Sequence, residues 1–96
     1  MNFSSRETLI VAGHLLSNKN TLHTINNVIT DLLSMYEVHD SIVMLSNNLK
    51  SMTEYELLES IKESSTLTGL LARTAFDNVN FDEIADYLIS DRIAVG

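Results

Sequence analysis

Residues 21–36, TLHTINNVITDLLSMY, carry apolar side chains at Leu22, Ile25, Val28, Ile29, Leu32, Leu33 and Tyr36. Steps of three and four place these on one side of an α-helix, with Asn26, Asn27, Thr30, Asp31 and Ser34 mostly on the other. Such a stripe must be buried against other apolar surface, and the rest of the chain is expected to pack around it. Proline is absent and glycine stands only at Gly13, Gly69 and Gly96, so the turns of a hairpin-rich sheet are not encoded. The fold class expected is all-α: a compact bundle of five or six short helices, one domain over residues 1–96. The run SIVML at 41–45 is β-rich, but a strand there would have no partner.

Local signals divide the chain. Ser4 and Glu7 fit an S-x-x-E capping box opening a first helix with Leu9, Ile10, Ala12, Leu15 and Leu16 on its apolar face. Gly13 inside it is either tolerated or marks a close helix crossing. SNKN at 17–20 ends that helix. The second helix is the stripe itself. His39, Asp40 and Ser41 then interrupt the pattern, giving a break at 37–40 and a third helix over about 41–51 with Ile42, Leu45, Leu49 and Met52; one unbroken helix over 21–50 is the alternative. Thr53 and Glu56 form a second box starting a fourth helix, with Tyr55, Leu58 and Ile61 inward and Leu57 half covered. After a polar junction at 64–66, a fifth helix from about 67 would bury Leu67, Leu70, Leu71, Ala75 and Phe76, with Gly69 and Ala72 as small contact positions. Asn80 and Glu83 form a third box, flanked by Val79 and Ile84 in hydrophobic-staple positions. The sixth helix then carries Phe81, Ile84, Ala85, Leu88 and Ile89 and ends near Ser90, with 93–96 prone to fray.

Composition narrows the function class. At 45% hydrophobic the chain is too apolar to stay disordered, and with no cysteine it has neither disulfides nor thiol ligands. Residues 1–6 are polar and the apolar run 9–12 is too short for a signal core or a membrane span, so a cytoplasmic protein without membrane contact is expected. Usage rich in Ser, Thr and Asn and poor in Lys leans toward that of small phage proteins from AT-rich genomes. The net charge is −7 and uneven: residues 1–50 carry four acids against three cations, residues 51–96 nine against three. A carboxylate-rich half repels phosphate backbones, which disfavours direct nucleic-acid binding. A helix-turn-helix over 57–76 fares no better, since its second helix would offer only Arg73 to phosphates.

No constellation points to catalysis or a cofactor. His14, His23 and His39 lack a second histidine at ligand spacing, and no G-x-S-x-G elbow or glycine-rich phosphate loop occurs. The expectation is therefore no enzyme, no metal, no cofactor and no small-molecule substrate.

Two surface features stand out instead. Glu56, Glu59 and Glu63, with Glu54 beside them, form an acidic ridge at spacings of three and four, repeated by Asp82 and Asp86. Like charges so placed destabilise a helix by about a few tenths of a kcal/mol per pair. The ridge is either a solvated face or a surface for a basic partner, with a phosphate-like spacing that would suit a nucleic-acid mimic. Met35, Tyr36, Met44, Met52 and Tyr87, with Val38 and Leu57, fall beside the core stripes, and Met and Tyr suit protein interfaces. These features predict a protein-binding regulator or inhibitor of a larger, nucleic-acid-handling partner. The alternative is a structural protein acting as a homodimer or higher homo-oligomer.

Overall fold

Helices start where a side chain can satisfy an orphan backbone amide, and the computed structural model, which describes residues 3–62 and 65–95, follows that rule with one exception. The Ser5 hydroxyl accepts from the Thr8 amide at 3.1 Å and opens α1 (Arg6–Ser17). Asn18 ends α1 and also caps α2 (Lys19–Met35), its side-chain oxygen accepting from the amides of Asn20 and Thr21. Ser65 caps α4 (Thr66–Asp77) through the Thr68 amide, and Asn80 caps α5 (Phe81–Val95) through the Glu83 amide. The exception is α3 (Val38–Ile61), whose N-cap Glu37 makes no side-chain capping bond.

The architecture is an all-α bundle of five helices, and no strand occurs among the described residues. The expected third and fourth helices are one: α3 runs unbroken through Thr53 and Glu56, so that capping box lies in mid-helix and caps nothing. A box acts only where the chain upstream leaves the helix, and Ser46, Leu49 and Met52 keep it docked there. The break expected at 37–40 lies at 36–37, since α3 begins at Val38 and takes in His39 and Asp40; it rules out one helix over 21–50, and the β-rich run 41–45 is helical. The first cap is Ser5 rather than Ser4, because Ser4 is engaged elsewhere. At the other end, α5 continues past Ser90 to Val95.

At about 1.5 Å per residue, the 24 residues of α3 span roughly 36 Å, which accounts for most of the 44 Å long axis of the molecule. This helix, not the stripe at 21–36, is the hub: α5 lies along it, and α2 and α4 pack against it. The stripe is amphipathic as expected, but it buries only Ile25 and Ile29 fully and leaves Tyr36 exposed. The core comprises those two with Ala12 and Leu15 of α1, Leu45 and Leu49 of α3, Phe76 of α4, and Phe81, Ile84, Ala85, Leu88 and Ile89 of α5.

The N-termini of α1 and α5 are locked to each other. Buried Thr8 accepts the Asn80 amide on its hydroxyl at 2.8 Å, and the Ser5 hydroxyl donates to the Asn78 carbonyl at 3.0 Å. Since the single Ser5 proton is used there, the 2.7 Å contact between the two hydroxyls must be Thr8 donating to Ser5. Glu83 accepts from both the amide and the hydroxyl of Ser4. The box at Asn80 and Glu83 is thus half present. Asn80 caps Glu83, while the Glu83 carboxylate and the Asn80 amide turn to α1. At its far end α5 is tied down by Arg92, which donates to the Thr30 hydroxyl and the Asn26 carbonyl of α2.

Candidate functional site

An α-helix turns about 100° per residue, so residues two apart point in nearly opposite directions. This sets Glu54 apart from the acidic ridge expected on α3. Glu54 faces α4 and accepts from Arg73 at 3.1 Å, while Glu56 faces α1 and meets His14 Nε2 at 2.7 Å. Glu59 is exposed, beside an open hollow shared with Ser51, Met52, Tyr55 and Glu56. Glu63 lies outside the described residues. Two of the four carboxylates therefore have cationic or imidazole partners that spacing alone did not reveal.

The acids of α5 behave differently. Asp82 and Asp86 are exposed, and Asp86 shares an open depression of about 460 Å³ with Glu83, Asp91, Ser90, Tyr87 and Phe3. Phe3 arrives because the Ser4–Glu83 bonds fold the segment before α1 back onto α5. Its ring meets Tyr87 edge to face, with centroids 6.0 Å apart at 75°. The result is an aromatic pair ringed by three carboxylates. Tyr87, Asp86 and Asp82 were legible in the sequence; Phe3, Glu83 and Asp91 join them through tertiary packing. Asp91 follows Tyr87 by four residues, a helical neighbour relation that the sequence does offer.

The apolar candidates divide as well. Met35 is 65% exposed, and Tyr36, Met44, Val38 and Tyr87 are also exposed, whereas Met52 and Leu57 pack against the core. The larger correction lies on α4. Leu67, Leu70 and Leu71, expected inward, are 66%, 62% and 64% exposed, and only Phe76 is buried. Tyr55 and Leu58 of α3, also expected inward, are 70% and 52% exposed. Ala72 is half-buried, while Ala75, also expected inward, is exposed and lies with Ala72, Phe76, Leu57, Val11 and Val79 around an apolar groove of about 220 Å³. Phe76 anchors the helix by packing on Phe81 at 5.6 Å, with the Arg73 guanidinium 5.2 Å from its ring centroid. Gly13 marks no close crossing, since a Cβ there would meet nothing within 4 Å.

Among the described residues no group of three His, Cys, Asp or Glu side chains could hold a metal ion, and no helix is long and apolar enough to cross a membrane. The buried hydroxyls of Ser41 and Thr53 have no hydrogen-bond partner. Comparison with protein-family models, with curated proteins and with solved structures gave no match.

Proposed function

We propose that the chain is a non-catalytic protein-binding regulator that takes a basic segment of a larger protein partner on the outer face of α5. The observation that carries this reading is the Phe3–Tyr87 pair set among Glu83, Asp86 and Asp91 in one open depression. An arginine side chain entering it gains carboxylate acceptors for its planar fork and an aromatic face for its charge. Exposed Asp82 extends the same sign of charge toward the N-terminus of α5. The net charge of −7 would speed encounter with a cationic partner, while the aromatic pair would set how long the complex lasts. Proteins that handle nucleic acid present such basic segments, so occupying one would inhibit them by competition with phosphate.

Titration of a labelled arginine-rich peptide, followed by fluorescence anisotropy, tests this. The double variant Asp86→Asn with Asp91→Asn should weaken binding by roughly tenfold or more, as loss of two charged contacts implies. Glu56→Gln with Glu59→Gln on α3 should change it far less. Equal losses in the two double variants would mean that net charge alone drives capture, and the depression would have no part in it.

A further inference from the structure

A face of large apolar side chains left uncovered on a single chain marks a contact surface. On α4 the inward side carries buried Phe76 and half-buried Ala72, and the outward side carries Leu67, Leu70 and Leu71 at steps of three and four, with Thr74 among them. We propose that the outer face of α4 is the contact surface of a homodimer, in which α4 of one chain packs on α4 of a second copy. The proposal is independent of the α5 reading, because the two surfaces share no residue.

Charge selects the occupant. Within α4 the only charged side chains are Arg73 and Asp77, which lie 3.8 Å apart, and Arg73 also donates to Glu54. The helix is thus neutral in a molecule of charge −7, with Arg73 already engaged by acids of its own chain. Among the described residues, a basic partner would find no free carboxylate to meet on this leucine face. A second copy, which must approach without opposing acid to acid, finds a face that allows it.

Area agrees. Leu58 follows Glu54 by one helical turn, on the side of α3 that carries the Arg73 clasp, and extends the apolar surface from α4 onto α3. The three leucines of α4 with Leu58 leave on the order of 450 Å² uncovered, as much as the largest patch on a typical monomer. A standard interface takes about 800 Å² per partner, somewhat over half of it apolar, so this patch matches one protomer's share. In a two-fold arrangement Leu70 and Leu71, near the middle of α4, lie close to the axis, and a change at either acts twice.

Sedimentation equilibrium and light scattering over concentrations up to several hundred micromolar test the proposal. Twice the 10.7 kDa of one chain is expected at the upper end. Leu70→Glu should abolish the dimer with helicity unchanged by circular dichroism, since the side chain is already exposed. Val43→Glu, at a comparably exposed apolar residue of α3, should leave it intact. Because the chain has no cysteine, Leu70→Cys gives a second measurement: mild oxidation should cross-link it rapidly and Val43→Cys slowly. A monomer at every concentration, a Leu70→Glu variant that still dimerises, or equal disruption or cross-linking at Val43 would each overturn the assignment.

Discussion

Helices α4 and α5 are neighbours in the chain, close in length and both rich in apolar residues, yet they end up in opposite situations. Helix α5 buries Phe81, Ile84, Ala85, Leu88 and Ile89, is gripped at its start by Ser4 and Thr8, and is tied at its end by Arg92. Helix α4 buries Phe76 alone, is capped by its own flanking Ser65, and turns its leucines outward. Apolar content therefore does not decide what a helix buries. On α5 the large residues form one stripe, and polar residues at both ends are placed to hold it against the bundle. On α4 the three leucines share one side, and the side with Phe76 and Ala72 is the one that packs inward.

The sharpest way to break this comparison is to truncate one large side chain in each helix. Ile84→Ala should cost about 2–5 kcal/mol in urea unfolding, the usual range for a fully buried isoleucine. Leu67→Ala, in solution dilute enough for single chains, should cost no more than about 0.5 kcal/mol. Comparable losses would mean that α4 is as firmly packed as α5. Next in size is the clasp. Thr8→Val keeps the shape but removes the acceptor of the Asn80 amide, and losing a hydrogen bond at this part-buried junction costs about 0.5–1.5 kcal/mol. Amide hydrogen exchange should show the loss concentrated in the first turn of α5, with α4 unaffected.

A smaller effect of opposite sign is expected on α4. Gly69→Ala brings a Cβ no closer than 4.0 Å to Ile61 and should stabilise the helix by about 0.5–1 kcal/mol, slowing exchange of α4 amides selectively. The smallest concerns the Arg73 clasp. Both side chains are substantially exposed, so Glu54→Gln should shift the unfolding midpoint by at most the few tenths of a kcal/mol typical of surface pairs, and less in high salt.

The same contrast explains what could be read in advance. All five residues assigned to the core side of α5 are buried, because there the capping signal and the hydrophobic stripe agree on one start and one face. On α4 the periodicity located a helix correctly but could not choose between its two apolar sides, since that choice depends on the shape of the surface it meets. The signature at Thr53 and Glu56 misled for a related reason: two residues can fit a box anywhere, and only the surrounding packing decides whether the helix is interrupted. In the acidic depression, Asp86 and Tyr87 follow from position on α5. Phe3 does not, because its arrival depends on Ser4 bonding to a carboxylate 79 positions away.

That separation has a kinetic meaning. The Ser4, Ser5 and Thr8 bonds to Glu83, Asn78 and Asn80 each close a loop of more than seventy residues, longer than those Arg92 closes to Thr30 and Asn26. Individual helices form within microseconds, but the joining of the two distant ends must wait until everything between them is roughly in place. Weakening it should hasten unravelling more than it delays assembly, so this small knot of hydroxyls would govern how long the native state lasts once formed.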